Sequence, residues 1–159
     1  MKKKILIIQG SNLKKIKIKT DTSFFLGLEA QRRGYQIYYY EPKDLSFVNG
    51  KVTALCLKVK FDNNAKQPVE VINKKVLNLF KAKLILIRND PPFDQQYINT
   101  TFILEHISKK VRVINHPKSL RDVPEKLFSL RLIKYMPKTL ISENLNEIKT
   151  FLKKNKKIV

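Results

Sequence analysis

A chain of 159 residues holds one domain, or one domain and the opening of a second. Its formal charge of +20 comes from 27 Lys and 6 Arg spread along the whole length, not from a basic stripe interleaved with aromatics, which argues against specific nucleic-acid recognition and for a solvated lysine-rich surface. The lone Cys56 excludes an internal disulfide, the apolar run after Lys2-Lys3-Lys4 is too short for a secretory leader, and no run reaches the ~18 residues of a membrane span, so a cytoplasmic protein with no membrane association is expected.

In chain order, Ile5–Ile8 is a continuous apolar run and predicts a strand buried on both faces, followed by a loop at Gln9-Gly10-Ser11-Asn12. The alternation of Ile16 and Ile18 with lysines predicts a short exposed extension. Thr20-Asp21-Thr22-Ser23 supplies helix-start chemistry for a helix over about 22–33, closed by Gly34 in the left-handed conformation. Tyr35–Tyr40 predicts a second strand. Leu45–Val48 and Val52–Val59 flank Asn49-Gly50, a strong hairpin signal. The stretch 61–69 reads as irregular, 72–80 as a short helix, and Leu84–Ile87 as another buried strand. Asp94 caps a helix over about 95–109, and Val111–Ile114 is the next strand.

Strands alternating with helices predict an α/β fold with an open, largely parallel sheet over residues 1–121. Residues 122–159 read as the incomplete beginning of a second domain. There Asp122 is expected to cap a helix with Glu125 in a capping box, Thr139–Ser142 to form a strand and Asn144–Lys154 a helix, and Ile158-Val159 to open a further strand.

Ligands of such a sheet bind at the carboxyl ends of its strands. The loop Arg88-Asn89-Asp90-Pro91-Pro92-Phe93-Asp94 is stiffened by two prolines. Arg88 and Asp90 could hold a zwitterion, the guanidinium on a carboxylate and the carboxylate on an ammonium; the plain alternative is a turn with Arg88 as a surface ion-pair residue. The segment Thr20–Ser23 either caps its helix or offers free N–H groups to an anion. Lys126 stands in a first helical turn, against the helix dipole, which hints at a functional cation, though it is one lysine among 27. His106 and His116 lack partners at a metal spacing, glycines are never clustered into a phosphate loop, and no nucleophile–base set stands out, so no catalytic or metal residue is assigned.

Three segments taken together carry a resemblance. Lys17-Ile18-Lys19-Thr20-Asp21-Thr22-Ser23-Phe24 runs into Leu28-Glu29-Ala30-Gln31-Arg32-Arg33-Gly34-Tyr35. Arg88-Asn89-Asp90-Pro91-Pro92-Phe93-Asp94 follows. The third is Asn115-His116-Pro117-Lys118-Ser119-Leu120-Arg121-Asp122 with Glu125-Lys126-Leu127-Phe128. In this order they resemble the N-terminal portion of prokaryotic glutathione synthetase, an ATP-grasp ligase.

The resemblance implies a substrate domain followed by the start of an ATP-grasp domain. It implies an activity that joins γ-glutamylcysteine to glycine through an acyl phosphate, with ATP and Mg²⁺ in the complete enzyme. It also implies substrate-facing roles for Arg88, Asp90, Asp21 and Ser23, and an ATP contact for Lys126. Departures are Gln9-Gly10-Ser11-Asn12, where the family usually has Asp-Pro, and Asn89 and His116, where Lys is common.

The second ATP lysine, the glycine-rich loop and the Mg²⁺ carboxylates are not matched, so this chain alone is expected to be an inactive fragment that binds neither ATP nor Mg²⁺ productively. A homo-oligomer, or association with a separate C-terminal half, is the expected partnership. The alternatives are a non-catalytic substrate-binding or oligomerisation module, and a basic nucleic-acid binder.

Overall fold

A computed structural model describes residues 4–16, 20–65 and 67–155. They divide into two compact units, Met1–Asp122 and Val123–Val159. The expected lysine-flanked extension at 17–19 and the strand start at Ile158-Val159 lie outside the described residues.

The first unit is built on a seven-stranded sheet. Its strands are β1 (Lys4–Gly10), β2 (Tyr35–Tyr40), β3 (Leu45–Val48), β4 (Lys51–Phe61), β5 (Val69–Asn78), β6 (Leu84–Arg88) and β7 (Arg112–Ile114). The order is β3-β4-β2-β1-β6-β7, with β5 on β4. The pairs β1/β2, β1/β6 and β6/β7 are parallel, whereas β2/β4, β3/β4 and β4/β5 are antiparallel. The sheet is therefore mixed: a parallel half of four strands continues into an antiparallel half. β4 has three partners because β3 (against 51–54) and β2 (against 57–59) share one of its edges and β5 takes the other.

Helix α1 (Thr22–Arg32) and helix α2 (Gln95–Ser108) cover opposite faces of this sheet. β1 alternates between the two sides. Leu6 and Ile8 pack with Phe24 of α1, Ile37, Tyr39 and Phe61, while Ile7 packs with Tyr38, Tyr40, and Leu104 and Ile107 of α2. All these side chains are buried, each large one worth about 1.5–3 kcal/mol relative to exposure. Asp21 caps α1 by accepting from the backbone N–H of Ser23 (2.7 Å) and Phe24 (3.1 Å), and Asp94 caps α2 through Tyr97 N–H (2.8 Å). Gly34 follows α1 at φ +80°, as its position predicts. Asn49 and Gly50 turn the β3–β4 hairpin with φ of +48° and +75°.

Several local expectations are corrected. Residues 69–78 form strand β5, not a helix, and only Leu79–Lys81 turn helically. Residues 117–122 form helix α3 (Pro117–Asp122), for which no sequence signal was read, started by a proline whose missing N–H costs nothing at that position. Asp122 thus ends α3 and pairs with Lys118 instead of capping the next helix.

The second unit contains α4 (Glu125–Phe128), which starts after Pro124, a 3-10 segment Ser129–Tyr135, and α5 (Leu145–Asn155). Residues 139–142 are irregular, not a strand. In α5, Asn144 accepts from the N–H of Asn146 (2.9 Å), and no residue of the helix is buried. Among the described residues no helix is long and apolar enough to cross a membrane.

Candidate functional site

β1 is where the parallel sheet changes direction: the chain passes to β2 on one side and later to β6 on the other. A crevice outside the strand ends is expected at such a point. The register aligns the three carboxyl ends, with Gln9 opposite Tyr40 and Gly10 opposite Arg88. The loops leaving β1 and β6 and the start of α1 therefore converge.

Asp21, Ser23, Arg88 and Asp90, separate in sequence, line one cavity of about 60 Å³ together with Ser11, Asn12, Ile16 and Tyr39. Ser11, Asn12 and Asp90 also line an adjoining cavity of about 240 Å³, whose other walls include Glu41, Asn89, Asp94 and Tyr97. Among the described residues no lysine lines either cavity. Their charged lining is Arg88 among the carboxylates of Asp21, Glu41, Asp90 and Asp94.

Each of these groups is positioned by a nearby bond. Arg88 Nε donates to Ser23 Oγ over a long 3.4 Å, and among the described residues the two terminal amino groups of the guanidinium have no hydrogen-bond partner. One oxygen of Asp21 is committed to capping α1, so the capping alternative holds for that oxygen. The Asp90 N–H donates to Ser11 Oγ (3.1 Å), and the Tyr39 hydroxyl donates to the Ser11 carbonyl (2.6 Å). These two bonds tie the β1 loop to the β6 loop and to β2.

Burial raises the Tyr39 pKa, and the Asp21, Asp90 and Glu41 carboxylates raise it further. Burial likewise raises Tyr97, partly offset by the Arg88 charge.

Sequence reasoning missed a second layer. Gln9 and Tyr40 are fully buried, and Tyr40 donates to Gln9 Oε1 (2.7 Å) while Gln9 Nε2 donates to Asn89 Oδ1 (3.2 Å). Gly10 was missed too: a Cβ there would lie 2.1 Å from the Tyr39 hydroxyl oxygen. The one available signal was a glutamine inside an otherwise apolar strand run.

Lys126 lies exposed in α4 of the second unit. That unit has a shallow depression of about 360 Å³ lined by Leu140, Asn146, Glu147, Thr150, Phe151 and Lys154. Among the described residues no group of three or more His, Cys, Asp or Glu comes together to hold a metal.

The sequence matches the family "Prokaryotic glutathione synthetase, N-terminal domain" over residues 4–121. A glutathione synthetase of Mesorhizobium japonicum is 40% identical over 153 residues, 96% of this chain and 49% of that protein. One of Wigglesworthia glossinidia brevipalpis is 46% identical over 142 residues, 87% of this chain and 44% of the relative. The glutathione synthetase of Escherichia coli K12 is 39% identical over 145 residues, 91% and 46% respectively. The chain spans about half the length of the curated relatives it matches. A match over three quarters of the chain, on the domain that carries the crevice, leaves one assignment: the chain belongs to the prokaryotic glutathione synthetase family, through that family's N-terminal domain.

Proposed function

We propose that the first unit is the dipeptide-binding part of a glutathione synthetase, taking γ-glutamylcysteine in the crevice at the ends of β1 and β6. One observation carries this reading: four residues chosen separately from the sequence, Asp21, Ser23, Arg88 and Asp90, line a single cavity. γ-Glutamylcysteine has two carboxylates and one ammonium. A guanidinium can hold a carboxylate by two parallel bonds, and a nearby carboxylate can accept from the ammonium. Arg88, the last residue of β6, and Asp90, two positions on in the loop, supply that pair.

The relatives are about twice this chain's length, and we place the complete ligation with groups beyond these 159 residues. ATP, when bound by the complete enzyme, supplies the phosphoryl group that activates a carboxylate. On this chain Lys126 is the residue proposed to meet it. No step through Mg²⁺ is assigned here, because the described residues do not assemble a metal site. The buried free thiol of Cys56 fits a reducing cytoplasm.

Calorimetric titration of γ-glutamylcysteine into the 159-residue chain tests this. Binding is expected, weakened about tenfold or more by Arg88→Met and less by Asp90→Asn, since a charge-assisted bond is worth about 1.5–3 kcal/mol. No binding by the wild type would overturn the reading. With ATP, Mg²⁺, γ-glutamylcysteine and glycine, the chain alone should form neither ADP nor glutathione.

A further inference from the structure

The relay Tyr40–Gln9–Asn89 has a direction, and the direction decides what Asn89 offers a ligand. Burial holds the Tyr40 phenol protonated by raising its pKa well above the ordinary value, so its hydroxyl needs an acceptor. Among the described residues the only hydrogen-bond partner of that hydroxyl is Gln9. A side-chain amide has one accepting end and one donating end. Gln9 must therefore turn its oxygen to Tyr40 and its nitrogen to Asn89, and Asn89 must answer with its oxygen. Reversing one amide alone would set two donors or two acceptors against each other, and reversing both together would leave the buried Tyr40 hydroxyl hydrogen without an acceptor. The amide left over at Asn89 is its Nδ2, and Asn89 lines the 240 Å³ cavity.

We propose that Asn89 Nδ2 is a ligand-binding donor that takes a carboxylate or carbonyl oxygen of the dipeptide, and that Gln9 is the positioning residue that fixes its polarity. This rests on the dipeptide-binding reading above. It gives an anionic group a donor of fixed polarity in a cavity whose charged residues, among those described, are the carboxylates Glu41, Asp90 and Asp94. Because Gln9 lies on the central strand and Tyr40 on its neighbour, the donor is held by the rigid sheet and not by its own loop.

The test uses the whole 159-residue chain in two measurements. Side-chain amide exchange by NMR, without ligand, should show the Gln9 NH₂ protected and the Asn89 NH₂ exchanging freely; the reverse pattern overturns the proposed polarity. In titrations with γ-glutamylcysteine, Asn89→Ala should weaken binding about tenfold, the loss of one hydrogen bond to a charged group. The double substitution Gln9→Leu with Tyr40→Phe replaces the buried polar pair by an apolar one of similar shape, which is close to neutral for folding. It should keep the melting temperature within a few degrees yet weaken binding about fivefold by freeing Asn89. Wild-type binding matched by Asn89→Ala and by the double variant overturns this inference and leaves the dipeptide reading standing. Absence of wild-type binding overturns both.

Discussion

A methyl group at position 10 has nowhere to go. It would lie 2.1 Å from the Tyr39 hydroxyl oxygen and 2.7 Å from the ring carbon that bears it, so Gly10→Ala must push Tyr39 off the Ser11 carbonyl. Overpacking of this kind costs about 1–3 kcal/mol. Urea unfolding should show that loss, and a smaller one in a Tyr39→Phe background, where the closest contact is gone.

The buried Cys56 thiol makes a different prediction. Burial lifts its pKa from the ordinary 9.0 to about 12, helped by the Asp44 charge and opposed by Lys75. In the unfolded chain the thiol ionises near 9, while in the folded chain it holds its proton to about 12. Between those values the unfolded state binds fewer protons, so this contribution is fully present below pH 9 and is lost as pH rises toward 12. The raised Tyr39 and Tyr40 act in the same direction from their ordinary 10.0 upward. Urea midpoints measured across that range should fall, and fall less steeply for Cys56→Ala.

At this scale the sequence was legible where chemistry is local. Asp21 and Asp94 announce their helix caps from adjacent residues, and Arg88 and Asp90 stand out beside two prolines. Gln9 was not legible as a strut, because its partners Tyr40 and Asn89 lie 31 and 80 residues away and only the sheet brings them together.

Among the elements, β5 shows why periodicity misled. The register of β4 against β5 passes from Lys58↔Asn73 to Val59↔Val71, so Ile72 is an extra residue in the ladder. That bulge puts Val71 and Ile72 side by side, and with Val76 and Leu77 further on the spacing looks helical when it is a strand with a slipped step. Among the described residues no strand pairs with the outer edge of β5, yet the bulge and the exposed Lys74 and Lys75 blunt it. Replacing both lysines by valine should leave the monomer folded and raise light scattering on concentration.

Helix α3 has no sequence signal of its own, because six residues are too few to show a period. What holds it is tertiary. Arg121 donates to Thr101 Oγ1 (3.0 Å), pairs with Glu105, and lies over the Phe102 ring at 3.9 Å, all on α2. Its side chain is only 15% exposed, so Arg121→Ala should cost about 1–2 kcal/mol, discounted for the more open Glu105. The measurement is a denaturant titration, with Arg121→Lys recovering part of the charge pairing but not the stacking.

The whole molecule was legible as α/β, because its central strands read as continuous apolar runs, the mark of burial on both faces. The antiparallel half was legible only at the Asn49-Gly50 turn; the pairing of β4 with β2 follows from no local signal. The lysine-rich surface has a kinetic consequence. A lysine-rich exterior draws an anionic dipeptide from a distance on the order of the Debye length, about 8–10 Å at moderate salt. At the crevice, among the described residues, the arriving molecule meets the Arg88 guanidinium set among the carboxylates of Asp21, Glu41, Asp90 and Asp94. The orientation admitted is the one that brings a carboxylate of the dipeptide to Arg88 and its ammonium to the surrounding carboxylates. The encounter thus sorts orientations before any contact forms. Capture by this chain should slow as salt screens the outer field, while the rate of escape, governed by short bonds inside, stays nearly constant.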